Sequence, residues 1–291
     1  MKKITITLLL LQLFTFAFAQ TKYLDRKIID RLTDSIETEG KALYRSEWAS
    51  WYGTDIFTEK FPGKQALIGG YISYETSSGL NNIFYSKGDN PMVLVTTSFT
   101  KEMDPAKYVI DTTSRKLTGQ EMDLYTIRKA AIKRMASDST FRVYKNSSLN
   151  PVPIMNKTGK KVYVLTGPTT NNVVIFGNDY LIDFNQKNEV KSVYRIHNSI
   201  IPINTSKATD STQISIAAVH SHIEGKDKFM TATDICTLML YERFTTWKTC
   251  TVISKDYVSV WDCSKNSMIV LTMEAWNRIN LPQKTMGNSK F

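Results

Sequence analysis

The sequence predicts an α+β protein: a mixed, largely antiparallel sheet structure flanked by helices. Three observations predict it. Residues 23 to 48 carry Leu24, Ile28, Leu32 and Ile36 at four-residue spacing with charges between them, the mark of an amphipathic helix. Thr118-Gly119-Gln120-Glu121 is a capping-box pattern that opens a second helix running to about Ala136. Beyond residue 160 the chain is dominated by short β-branched and aromatic runs.

In chain order, residues 1 to 19 read as a secretory signal peptide. Lys2 and Lys3 form the basic region, Ile4 to Phe18 the apolar region and Ala17-Phe18-Ala19 the cleavage motif. The apolar run is short for a membrane span, and no later run is apolar enough to be one. The expectation is an exported protein, periplasmic or extracellular after cleavage near Ala19. In the amphipathic helix, Glu39-Gly40 is expected to weaken or end its first part. Gly69 to Tyr74, Asn82 to Ser86 and Met92 to Thr97 read as three strands ahead of the capped helix.

Residues 145 to 161, with Pro151, Pro153 and Gly159, are the best boundary in the chain. They suggest an N-terminal α+β region over 20–150 and a second unit over 151–291. Strands are expected at Lys161 to Leu165, Val173 to Phe184, Val190 to His197 and Ile214 to His222. A helix from about Thr233 to Phe244 and strands at Thr249 to Ser254, Tyr257 to Asp262 and Met268 to Thr272 complete the order.

The formal charge is +10, from 37 basic and 27 acidic residues. The lysines are scattered, with no basic block and no interleaving of arginine with aromatics, so nucleic acid is not an expected partner. The three cysteines, Cys236, Cys250 and Cys263, include no CxxC pair, which disfavours thiolate zinc ligation. Cys250 and Cys263 fall on opposite arms of an expected hairpin, where one bridge is possible. Cys236 falls on an apolar helix face and reads as a small buried hydrophobe.

Chemistry concentrates at His220-Ser221-His222, followed by Thr231-Ala232-Thr233-Asp234. Histidines two apart on a strand share a face. Neutral imidazoles and a carboxylate suit zinc, and a helix N-terminus favours the negative charge of Asp234. The plain alternative is a strand end of small polar residues followed by a helix capped by Thr231 or Thr233.

The order strand, His-x-His, loop, Ser/Thr-x-x-Asp, helix, strand resembles the JAB/MPN (JAMM) metalloprotease domain. The resemblance implies Zn2+ held by His220, His222 and Asp234, with the Thr231 hydroxyl assisting an oxyanion as a catalytic group, and a peptide or protein as substrate or partner. Ile223 stands where the family has proline, threonine replaces its serine, and the loop to Thr231 is about one residue longer. The family also needs an upstream glutamate as general base. Glu189 lies in an expected turn, Asp179 is shorter and in a strand context, and Glu121 is accounted for by its cap. Two functions follow: a zinc-dependent peptidase or isopeptidase, or a catalytically degenerate binding or assembly module of the cell envelope. A cupin reading fails because a strand, not an Asp-led helix, should follow the histidines. The zinc deaminase pattern and a P-loop are absent from the sequence.

Smaller features have plainer explanations. His197 could support a site, but a lone strand-end histidine is more often simply hydrogen-bonded. Gly177-Asn178-Asp179 reads first as a bulge or turn. Trp48, Trp51, Trp247, Trp261 and Trp276 could line a groove, though most should be core.

Overall fold

A computed structural model of the chain describes residues 23–205, 220–221 (backbone only) and 228–280. Helix α1 spans Arg26–Lys60, a single helix where the sequence suggested an interruption at Gly40. Asp25 caps its start by accepting from the Lys27 amide at 2.8 Å, and Pro62 follows its end. Its buried positions, among them Ile29, Thr33, Gly40, Leu43, Ser50, Gly53 and Phe57, recur every three or four residues.

Gly40 survives inside the helix because it is a contact surface. A Cβ there would lie 2.8 Å from the Ile235 Cβ of a second helix, and at Gly53 one would lie 2.3 Å from Asn82 Oδ1. The intrinsic helix penalty of glycine, about 1 kcal/mol, is outweighed by the close packing that no larger residue permits.

The strands are β1 (Ile68–Glu75), β2 (Gly79–Ser86), β3 (Met92–Thr100), β4 (Tyr108–Asp111) and β5 (Arg115–Lys116), which form one antiparallel sheet in the order β1-β2-β3-β4 with β5 beside β3. Helix α2 (Gly119–Ser137) then starts at the expected capping box. Its Glu121 is fully buried and held by Arg115 in two contacts of 2.7 Å, by the Tyr74 hydroxyl and by the Thr118 amide. Burial alone would raise this carboxyl, but Arg115, Tyr74 and Thr118 together hold it down at about 2.

Strands β6 (Ser147–Asn156), β7 (Gly159–Pro168), β9 (Tyr180–Phe184) and β10 (Val190–Arg195) make a second antiparallel sheet, ordered β10-β9-β7-β6. The proline-containing stretch expected as a boundary therefore supplies β6 and the turn into β7. The largest apolar cluster joins Ile72, Ile83 and Val93 of the first sheet to Leu124 and Ile127 of α2 and to Val162, Val164 and Ile182 of the second.

The expected continuous strand from Val173 to Phe184 is two strands. β8 (Val173–Gly177) pairs with β11 (Ile200–Asn204), apart from β9. The break is at Gly177 and Asn178, with φ of 85° and 57°, a left-handed region that glycine and asparagine tolerate best. A Cβ at Gly177 would sit 2.3 Å from the Ser199 carbonyl oxygen.

The last sheet is β12 (His220–Ser221), β13 (Thr249–Ile253), β14 (Tyr257–Asp262) and β15 (Ser267–Thr272), in that order. Between β12 and β13 runs helix α3 (Ala232–Tyr241), followed by a 3-10 turn at Glu242–Phe244; α4 (Met273–Asn280) closes the described chain. β12 and β13 are parallel, His220 opposite Val252, and all other strand pairs described are antiparallel. Most of the expected Ile214–His222 strand, with His222, lies outside the described residues.

The proposed Cys250–Cys263 bridge is not formed. In the β13–β14 register Cys250 faces Trp261, while Cys263 lies beyond the strand with its amide on the Lys248 carbonyl. None of the three cysteines is in a disulfide, and all are buried. Trp48, Trp247 and Trp261 are core residues as expected. Among the described residues, no helix is long and apolar enough to cross a membrane.

Candidate functional site at the start of helix α3

Thr231 is the N-cap of α3, in extended conformation, and forms a reciprocal box with Asp234. The Thr231 hydroxyl accepts from the Asp234 amide at 3.2 Å and donates to Asp234 Oδ2 at 2.8 Å. The Thr233 hydroxyl lies 3.1 Å from it. Asp234 Oδ2 also accepts from the Thr231 amide at 2.9 Å. A hydroxyl has one proton and two lone pairs. With its proton on Asp234, and the Asp234 amide and Thr233 hydroxyl as donors to it, the Thr231 oxygen has all three in use.

Behind this cap lies His197, just past the end of β10. Its Nε2 is 3.6 Å from Asp234 Oδ2, and its Nδ1 is 3.3 Å from Asp179 Oδ2. Asp179 Oδ1 accepts from the Thr166 amide at 2.9 Å, and its carbonyl accepts from the Ile196 amide at 2.9 Å. Asn178, left-handed beside it, accepts from the Tyr180 hydroxyl at 2.7 Å and donates to the Arg142 carbonyl at 2.8 Å. Asp179, His197 and Asp234 are 4 %, 7 % and 1 % exposed, so the ion pairs are nearly dry. Burial, the largest single influence on His197, works against protonation. The negative charge of Asp234 and the hydrogen bond to Asp179 outweigh it and raise the imidazole to about 10.

Thus Thr231 and Asp234, two of the four residues singled out by the sequence, meet directly. His220 is placed on the edge strand next to β13, and His222 lies outside the described residues. Sequence reasoning set aside His197 and Asp179, which the fold delivers to Asp234 from two further elements. The signal that could have found them is Gly177-Asn178, whose left-handed kink turns Asp179 away from the β8 ladder.

Asp179, His197 and Asp234 do not fit a metal cage: the imidazole stands between the carboxylates with a different nitrogen facing each, whereas zinc needs all its donors about 2 Å from one point. Among the described residues, no group of three histidine, cysteine, aspartate or glutamate side chains could hold a metal ion. Asp234 itself, anchored through hydrogen bonds to Oδ2, fits the pattern of a supported carboxylate ligand.

A groove of about 400 Å³ runs beside the cap, lined by Ile36, Tyr163, Leu181, Ile196, Phe229 and Thr231 among others. Glu39 at its edge is paired with Lys161 at 2.6 Å. No protein-family model, curated protein or solved structure matches the chain.

Proposed function

We propose that this is an exported envelope protein whose C-terminal half is a JAB/MPN-like binding module without hydrolytic activity. One observation carries the reading: the Thr231 hydroxyl, which would have to assist an oxyanion, already has its proton and both lone pairs engaged in the cap of α3. Asp179, the nearest described carboxylate to His197 besides Asp234, is likewise held by Thr166 and His197. A general base needs a proton-accepting group within reach of its water. The cluster's work is then structural: it ties β9, β10 and α3 together behind an apolar groove suited to an extended apolar peptide segment.

The test is turnover. Purified mature protein, with and without added zinc, is assayed on unfolded protein and on isopeptide-linked substrates. The reading expects no hydrolysis in either condition. Selection from a displayed peptide library should enrich apolar sequences, and Ile36→Asp in the groove should lose them; no enrichment would count against the binding role.

The zinc-dependent peptidase is the second reading. What supports it is the run from β12 through α3 to parallel β13, which brings the end of the His220 strand and the N-terminus carrying Asp234 to the same end of the sheet. In that reading His220, His222 and Asp234 hold zinc, which would supply Lewis acidity and an activated water. Zinc-dependent hydrolysis lost in His222→Ala would establish it.

A further inference from the structure

Away from helix α3's start, the 3-10 turn at Glu242–Phe244 and the β13–β14 hairpin enclose a cleft of about 510 Å³ lined by Glu242, Arg243, Trp247, Lys248, Cys263 and Ser264, among others. That volume lies in the range of about 300–1,000 Å³ typical of small-molecule sites. Two of its lining residues carry buried polar atoms without a hydrogen-bond partner: the indole Nε1 of Trp247 and the Oε2 of Glu242. Trp247 is 7 % exposed and packs against Phe176, so its orientation is fixed. Buried polar groups are nearly always paired, and an orphaned donor and an orphaned acceptor on two residues lining one cleft ask for a ligand that both accepts and donates.

We propose that this cleft binds a neutral saccharide unit. Adjacent hydroxyls of one sugar ring can accept from the Trp247 N–H and donate to the Glu242 carboxylate, which a simple anion or cation cannot do. An anion would face Glu242, and a cation would leave the indole unpaired. Burial raises the Glu242 carboxyl above its ordinary value.

Arg243, which lines the cleft, is itself held by aromatic rings. Arg243 donates to the Tyr52 hydroxyl and lies over the rings of Tyr52 and Phe244, 5.0 and 4.4 Å from their centroids. Phe244 stacks on Trp51 with centroids 5.7 Å apart, yet is 53 % exposed. Asp262 is occupied by its own turn, accepting from the Ser264 and Lys265 amides, and takes no part.

The experiment follows the Trp247 indole N–H resonance of isotope-labelled, full mature protein. The probes are glucose, N-acetylglucosamine and their β-1,4-linked disaccharides, each added to about 10 mM, enough to see millimolar binding. The expected result is a saturable shift of that resonance with at least one sugar. Glu242→Ala and Trp247→Phe should each weaken the affinity about three- to tenfold, the worth of one hydrogen bond. If Trp247→Phe does not fold, Glu242→Ala carries the comparison. No shift with any sugar would overturn the proposal and leave bridging water as the partner. An equal or larger shift with glycine would also overturn it, pointing to a zwitterion, as would an unchanged sugar affinity in Glu242→Ala.

Discussion

Replacing Thr231 by valine removes one oxygen and keeps the shape, so it isolates the hydroxyl. Three hydrogen bonds go: the Asp234 amide and the Thr233 hydroxyl lose their acceptor, and Asp234 Oδ2 loses a donor. Loss of an N-cap side chain costs about 1–2 kcal/mol. The stranded groups belong to Thr233 and Asp234, 0 % and 1 % exposed, so water does not replace the lost partners, which adds about 1 kcal/mol. The expected total is about 2–3 kcal/mol, or about 4–6 °C in Tm for a chain of this length. Urea unfolding of the mature protein followed by circular dichroism should show a lower midpoint at unchanged slope. Thr231→Ser, which keeps the oxygen, should lose less than half as much. If Thr231→Val unfolds within about 0.5 kcal/mol of the parent protein, within the spread of ordinary surface substitutions, the capping argument is refuted.

Gly40→Ala should destabilise by about 1–3 kcal/mol, although alanine is the better helix former, because its methyl meets Ile235; increased stability in thermal unfolding would contradict the close α1–α3 contact. Glu47 accepts from Asn150 at 2.6 Å, and burial, opposed by Arg128 and by that hydrogen bond, pushes its carboxyl up to about 7. Its folded value lies above its unfolded one, so its contribution is present below about 4.5 and lost as pH rises through about 7. Glu47→Gln should therefore gain on the parent protein by roughly 3 kcal/mol between pH 4.5 and pH 8, read as a widening difference in Tm; a constant difference would contradict this. Because Cys236, Cys250 and Cys263 are buried and form no disulfide, thiol reagent should react slowly with native protein and with all three on unfolding, without prior reduction. Prompt reaction in the native state, or fewer than three thiols on unfolding, would contradict it.

Local chemistry was legible in the chain. Thr118 with Glu121, and Thr231 ahead of Asp234, announce helix starts because a cap is satisfied within four residues. Strands such as β1, β3, β7, β13 and β14 were legible for the same reason, since alternation and turn residues act at short range, whereas β4, β5, β6 and β11 were not expected. What the sequence hid are effects of packing at long range. Gly40 reads as a helix breaker until Ile235 is seen against it. Gly177-Asn178 reads as a bulge or turn inside one strand from Val173 to Phe184, and only the separate pairing of β8 with β11 shows it to be a break. The meeting of Asp179 and His197 with Asp234 joins residues tens of positions apart, and no spacing rule reaches that far.

The central claim is that the start of α3 is a structural cap beneath a binding groove, not a hydrolytic centre. Its most direct test is peptide and isopeptide hydrolysis by the mature protein loaded with zinc, with metal content measured on the same sample and His222→Ala alongside. The account predicts no turnover above that of His222→Ala, whatever the metal content. Hydrolysis that rises with bound zinc and disappears in a folded His222→Ala protein would contradict it.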